Sequence, residues 1–577
     1  MVTIKTFEFS QEGKAKLAQE EKGTNWPVVY LLYNDKTLYI GEASDAARRL
    51  GEHLINPKKA KEKLKWVKVI FDDTFNKSVV LDYEQQLIKW CKADGKFKKI
   101  LNANDGQSDA HDYYQRADYS KYLKDNVWPA LKKEKMVNKD AEDIINENLF
   151  KYSPYNTLTL EQKRYENEIL EDVFSKLENN EQGIYLINGC AGTGKTVLAI
   201  HMIYQILHES EQYIKDYQNR NGKVRIGLIF PMNGVRGVIA DVFKESGDLL
   251  NRKIIITPYA LKQNDDFKKY DLLFVDESHR LAKRKSLSSM GLYANYDKVC
   301  KSLLLDKDKC NQLDWVLEQA KCKILFYDKD QSIKSSDITY DEYQASLKRR
   351  KEFSNKLQFT LSTQLRCQGG SEYIQYIKNI MSCDKKLQFT NINNYDFKLY
   401  YDADKMISDI RNLDIKEGLC KTVAGYSWDW KTQPENKNIK NNMDYYNKLV
   451  AERRYDIDDI GRGKYIWNVC TDKWITREDS HFTIGCIHST QGIDMNYVGV
   501  ILGKEIDYDK KSNEIKITRE KFKDKMVKTG VKDDDVLKQY ILNAYVTMML
   551  RGIKGCYVYA YNKGLRDYLA GYIRNVK

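Results

Sequence analysis

Two tyrosines, an arginine and a histidine fall close together: Tyr30 in "WPVVYLLYND", then Tyr39, Arg49 and His53 in "TLYIGEASDAARRLGEHL". Glu84 follows in "SVVLDYEQQLIKWCKAD", and Asn102 closes "KKILNAN". Such groups can move protons and hold an anion, so the stretch is a candidate active site as well as an ordinary strand pair and helix. A second set lies further on. "GIYLINGCAGTGKTVLAIHMI" fits G-x-x-x-x-G-K-[ST] from Gly189 to Thr196, between a buried strand and the start of a helix. The backbone N–H groups of Gly192, Thr193, Gly194 and Lys195 are then placed to cradle phosphates. Lys195 reaches the β- and γ-phosphates, and the Thr196 hydroxyl holds Mg²⁺. "YDLLFVDESHRL" reads as the matching acidic strand end, where Asp276 holds Mg²⁺ through water and Glu277 orients the attacking water.

These side chains need elements to hold them. "VVYLLY" and "TLYIGE" are strand-like, with turn chemistry in "NDK" between them. A two-residue turn at Asp35 and Lys36 sets Asn34 opposite Thr37 and Leu32 opposite Tyr39. Tyr30 and Tyr39 then become diagonal neighbours on one face of the sheet. Gly41 ends the strand, and Ser44 is the expected N-cap of "DAARRLGEHL". Arg49 and His53 are four apart and share one face of that helix. "NPKKAKEKLKWVK" carries six lysines and one glutamate between Lys58 and Lys68. It reads equally as a phosphate contact or as a solvated segment.

A chain of 577 residues is too long for one core, and its length suggests about three or four domains. Net charge is +13, from 95 Lys+Arg against 82 Asp+Glu, which at this length is a weak pointer to a polyanionic partner. The 11 cysteines are odd in number and contain no CxxC pair, so they read as reduced thiols rather than a disulfide frame or zinc site. No apolar run approaches the roughly 20 residues of a membrane span, and the N-terminus has no signal-peptide h-region. A soluble, cytoplasmic protein is expected.

Residues 25 to 105 resemble a GIY-YIG nuclease domain. "VVY" stands where the family has Gly-Ile-Tyr, and "YIG" is intact at Tyr39-Ile40-Gly41. Val28 replaces the first glycine, at a strand position where valine is comfortable. The resemblance implies that Tyr30 deprotonates the water, with Tyr39 or His53 assisting, while Arg49 holds the scissile phosphate. It further implies that Glu84 carries one Mg²⁺ or Mn²⁺ and that Asn102 orients the surrounding shell.

From about residue 157 to 565 the order of motifs resembles superfamily 1 helicases, the Schlafen group 3-like DNA/RNA helicases in particular. The residues concerned are Gln162, which is expected to read the adenine edge, then Thr257, His279, Asp328, Gln331, Arg366, His488, Gln491, Gly492 and Arg551. The resemblance implies two RecA-like domains clamping ATP. Gln331 couples hydrolysis to movement, and Arg366 and Arg551 act as arginine fingers. Asp494 stands where many relatives have glutamate, and "MMLRG" has leucine where "LTRG" is common.

The expected fold is a small α/β nuclease domain (residues 1–105), a helical connector (106–156) and two RecA-like P-loop domains. The first spans 157–345 and the second 346–577, with parallel sheets, helices on both faces and an insertion at about 372–480. The expected function is ATP-dependent cleavage of nucleic acid, DNA rather than RNA. Bacterial antiphage defence, with a partner from a defence operon, is the expected setting. A DNA-repair or RNA-directed nuclease-helicase, and a nucleotide-regulated binding module with a silent nuclease, remain as alternatives.

Overall fold

"VVYLLY" is buried on both sides because its strand lies inside a sheet. β2 (Val28–Tyr33) sits between β4 (Trp66–Phe71) and β3 (Thr37–Ala43), flanked by β1 (Thr3–Glu8) and β5 (Lys99–Ile100). Every pairing is antiparallel except β3 with β5. The hairpin has the expected register: the Asn34 N–H donates to the Thr37 carbonyl over 3.0 Å, and Leu32 pairs with Tyr39. Val29, Leu31, Leu38 and Ile40 point to one face and pack against α4 (Lys77–Asp94). Val28, Tyr30 and Leu32 point to the other, against α1 (Gln11–Ala18) and α2 (Ala46–Leu54); α3 (Pro57–Lys61) follows α2. α2 is capped by Asp45 rather than Ser44. The Asp45 carboxylate accepts from the Arg48 N–H at 2.8 Å and sets a negative charge at the positive end of the helix.

This computed structural model describes residues 2–576 except 103–112, 147–157, 214–221, 223, 232–235, 238, 241, 244–251, 263–268, 288, 330, 332–333, 365–366, 434–441, 470–473 and 491–492. The chain divides into two compact units, Met1–Thr157 and Leu158–Lys577. The described part of the expected connector is no linker. Leu123, Val127, Trp128, Leu131 and Ile144 share one core with α4. The Trp128 ring meets Trp90 edge-on at 5.2 Å, and the Tyr83 hydroxyl donates to the Tyr119 carbonyl at 2.7 Å. Buried aliphatic residues and Trp128 from this stretch seal α4.

In the second unit, α5 (Leu160–Glu178) leads into β6 (Gly183–Gly189), the buried strand before the P-loop. β7 (Ile226–Ile229), β8 (Ile255–Ile256), β9 (Tyr270–Val275), β10 (Ala320–Tyr327) and β11 (Phe353–Leu361) join it in the order β11-β6-β10-β9-β7-β8. All pairs are parallel, so the loops leaving β11, β6, β10 and β9 open on one edge. β11 therefore belongs to the first RecA-like sheet, and the boundary expected at 345/346 moves past Leu361.

The second sheet is also parallel. It contains β12 (Asp396–Tyr400), β13 (Cys420–Ala424), β14 (Met495–Leu502) and β17 (Gly552–Ala560), with β18 (Arg574–Val576) at its edge. A separate hairpin pairs β15 (Ile506–Asp509) with β16 (Glu514–Ile517). β12 and β13 fall inside the stretch expected as an insertion, so much of 372–480 is framework. The elaboration lies between Ala424 and Met495, with a small core of Leu449, Ile466 and Val469. No helix among the described residues is long and apolar enough to cross a membrane.

Truncating Trp128 to alanine should cost about 3–5 kcal/mol, because a fully buried indole leaves a cavity against Trp90. Hydrogen exchange checks this: protection should fall in β2 and β3 as well as around residue 128. Loss confined to residues 113–146 would mean that these helices are merely attached.

Candidate functional site

Gly41 lies directly across the ladder from Tyr30, and a Cβ there would reach within 2.5 Å of the Tyr30 ring. Only glycine leaves the phenol room to cross over β3. Its hydroxyl then lies 2.7 Å from His53 Nε2. The Tyr39 ring is 6.3 Å from Tyr30 and 5.2 Å from His53, which makes a three-ring cluster between sheet and α2. Arg49, one turn before His53, lies close enough for its charge to be felt at the Tyr30 hydroxyl and is held by Glu52 at 2.6 Å. Asn102 fixes the strand itself: its amide donates to the Ile40 carbonyl at 2.7 Å and its oxygen accepts the Ile40 N–H at 3.1 Å.

Burial sets the protonation states. It raises both phenols, Tyr30 well above its ordinary value, with Tyr39 as its second cause. It lowers the His53 imidazole to about 4, helped by the charges of Lys59 and Arg49. Tyr30 and His53 are therefore both neutral, and the tautomer of His53 decides which of the two donates across their contact. Glu84 comes from α4, and its charge is felt at Tyr30, Tyr39 and Arg49. Burial first and Glu42 second push its carboxyl up to about 7. A half-buried carboxyl beside a second acid gains most from an added cation. That suits a hard divalent ion with oxygen ligands.

At the P-loop, Gly192 and Gly194 take φ of +86° and +77°, the left-handed backbone glycine allows. The Lys195 ammonium donates to the carbonyls of Gly189 at 2.6 Å and Cys190 at 3.1 Å, and lies 3.6 Å from Asp328. The Thr196 hydroxyl donates to Asp276 at 2.6 Å. Burial and then Glu277 raise Asp276 to about 6, so a carboxylate–hydroxyl pair here also fits Mg²⁺. Glu277 sits at φ +49°, strained for a side chain with a Cβ, and its buried Oε2 makes no hydrogen bond. Burial keeps His279 neutral. Its Nδ1 accepts the Asp328 N–H at 3.3 Å, so its proton sits on Nε2, 3.2 Å from Glu277. Gln331 donates to Asp328 at 2.5 Å. The P-loop lysine, the β10 end and His279 thus lie in polar contact, with Glu277 close beside His279 but not hydrogen-bonded to it.

Gln162 is engaged within the protein. Its side-chain nitrogen donates to the Thr193 carbonyl at 3.0 Å and its oxygen accepts the Thr159 N–H at 3.0 Å, so the buried amide braces the P-loop against α5. Arg551 is buried at the start of β17, 3.8 Å from Asp494, and its charge is felt at His279. Arg366, Gln491 and Gly492 lie outside the described residues. One residue escaped the sequence reading: Gln364, just before Arg366, donates to the Ala191 carbonyl of the P-loop at 2.7 Å. Its only signal was its place in "STQLR".

A nucleotide-phosphate loop, an Asp-Glu strand end and two parallel sheets in one unit define a P-loop ATPase of two RecA-like halves. A nuclease-type cluster precedes it. Residues 182–562 match the Schlafen group 3, DNA/RNA helicase domain, and residues 27–99 match the GIY-YIG catalytic domain. The chain belongs to the Schlafen group 3 DNA/RNA helicase family and carries a GIY-YIG domain ahead of it. It is an endonuclease and an ATPase of helicase type, with nucleic acid and ATP as partners. The uncharacterized protein YPL245W of Saccharomyces cerevisiae is 25% identical over 450 residues, covering 72% of this chain and 90% of that protein. The crystal structure of Pif1 helicase from Candida albicans is 12% identical, covering 72% of this chain and 97% of that one, with a TM-score of 0.26. Bacteroides Pif1 bound to ssDNA is 13% identical, covering 71% and 93%, with a TM-score of 0.26. TM-scores that low support no structural inference.

Because Glu84 keeps its proton up to about 7, acid competes with a cation there. Mg²⁺ affinity at this site should fall up to about tenfold from about pH 8 to about pH 6. A metal titration at both pH values, compared with Glu84→Gln, reads it, and equal affinities would contradict the assignment. In NMR titration, His53 should stay neutral until near 4 rather than 6.5.

Proposed function

We propose that ATP turnover controls cleavage of nucleic acid by the GIY-YIG domain, with DNA preferred to RNA and Mg²⁺ as the metal at both sites. The observation that carries this reading is the Tyr30–His53 contact flanked by Arg49 and Glu84, in the same chain as a complete Lys195–Thr196–Asp276–Glu277 set. The attacking water gives its proton to Tyr30 as Tyr30 gives its own to His53 Nε2, so neither buried phenol has to ionise beforehand. Arg49 holds the phosphate against the cluster. Asn102 keeps β3, and so Tyr39 and Gly41, in register. Glu84 would hold a divalent cation, which would supply charge neutralisation for the leaving oxygen.

At the other site, Glu277 accepts a proton from the water that attacks the γ-phosphate, and its strained backbone holds the carboxylate ready. Lys195 exchanges its two carbonyl partners for phosphate oxygens. Gln331, through Asp328 and His279, carries the change at the phosphate to the β10 end. Arg551 and Arg366 supply positive charge from the second half.

Val28 gives no support to a silent nuclease, because it packs fully buried in β2 with the register intact. An RNA substrate is the second reading, favoured by a family description that names both nucleic acids. In the cell we assign the enzyme to cytoplasmic defence against foreign DNA. Expression should reduce phage plaques, and Glu84→Ala should not.

The decisive assay is Mg²⁺-dependent cleavage of plasmid, linear duplex, single-stranded DNA and RNA, with and without ATP. Glu84→Ala should lose at least about 10²-fold in cleavage. Lys195→Ala should keep the cleavage seen without ATP and lose every response to ATP. Glu277→Gln should bind ATP but turn it over about 10²-fold more slowly. Equal ATP responses in wild type and Lys195→Ala would overturn the coupling.

A further inference from the structure

The lysines of "NPKKAKEKLKWVK" do not share one fate. Lys61, Lys63 and Lys65 are exposed, and Lys68 is buried in an ion pair with Glu134 at 2.8 Å. Lys59 on α3 turns inward instead. Its ammonium lies 2.7 Å from the centroid of the Tyr39 ring, the ring that also touches His53 and Tyr30. Arg49 and His53 face it from α2, Tyr39 from β3, and Glu62 from just beyond α3. The nearby acids are already engaged: Glu62 takes Lys99 at 2.6 Å, and Glu52 takes Arg48 at 2.7 Å and Arg49 at 2.6 Å. Among the described residues Lys59 makes no ion pair of its own. Lys59 therefore feels the charge of Arg49, which Glu52 already partners, in a half-dry site, and its own charge stays uncompensated until an anion joins it.

We propose that Lys59 is the second cation of the scissile-phosphate site, gripping one non-bridging oxygen of the phosphodiester while Arg49 grips the other. This rests on the nuclease reading of Tyr30, Arg49 and Glu84. The aromatic face of Tyr39 steers the ammonium without neutralising it. Burial, and Arg49 after it, lower the Lys59 ammonium to about 7, so part of the population lacks its proton at neutral pH. A phosphodiester bound between the two groups restores that proton. Nucleic-acid binding at this site then takes up protons from solvent, which an ordinary surface lysine would not do.

The test uses the full chain carrying Glu84→Gln, a short DNA duplex and no divalent metal. Calorimetry at about pH 7, in buffers of different ionisation heat, counts the protons taken up. Uptake of about half a proton per complex is expected, and it should vanish in both Lys59→Arg and Lys59→Met. Lys59→Arg should keep the affinity, because guanidinium stays charged, while Lys59→Met should bind at least about tenfold more weakly. In the Glu84 background, kcat/KM for cleavage should follow the same order, with Lys59→Arg rescuing most of it. Unchanged uptake and unchanged affinity in Lys59→Met would overturn the proposal. So would an equal loss in Lys59→Arg and Lys59→Met. If wild type cleaves nothing, the nuclease reading fails on its own, and the proton count still decides Lys59.

Discussion

Taking a charged group out of water is costly unless other groups replace its hydration, and both reactive ends of this chain are built under that constraint. At the nuclease end, Tyr30 and His53 meet it by staying neutral and satisfying each other. Glu84 meets it badly, since burial and the nearby charge of Glu42 both oppose its ionised form. At the ATP end, Asp276 and Glu277 are adjacent and Asp276 is fully enclosed. In both places the missing compensation is what the substrate and its cation bring. The sites are thus uncomfortable in their own right, and binding relieves them.

The P-loop is held by more than its own turn. Glu161 on α5 accepts from the Ser362 N–H at 3.0 Å and the Thr363 N–H at 3.2 Å, just after β11. Gln364 then reaches Ala191, and Gln162 reaches Thr193. The chain that leaves β11 to build the second parallel sheet is therefore pinned to the nucleotide loop as it goes. A shift in that loop and a shift in the inter-sheet connection become one event, made of short polar contacts that can exchange partners.

Local patterns were legible in the sequence. A two-residue turn fixes register by geometry alone, and so the Leu32–Tyr39 pairing and the diagonal placement of Tyr30 and Tyr39 follow from "NDK". The P-loop was equally legible, because its strand, glycines and lysine are contiguous. What stayed hidden depended on distant partners. Nothing local to Gln162 reveals that its amide also braces the P-loop through Thr193. β11 was assigned to the wrong half because a strand's sheet is decided by its neighbours, here β6, far upstream. Lys59 could not be told from five similar lysines by composition, since only the fold turns one of them toward Tyr39.

The helices after residue 113 have a consequence for how such an enzyme is put together. The matched GIY-YIG segment ends at 99, but Trp128, Leu131 and Ile144 still cover α4. A recombination event that transplanted only the matched segment would carry a sticky apolar face into its new host. The heritable module is therefore larger than its signature. The stretch behind it, which the family signature leaves out, is the part that keeps the apolar face of α4 out of water.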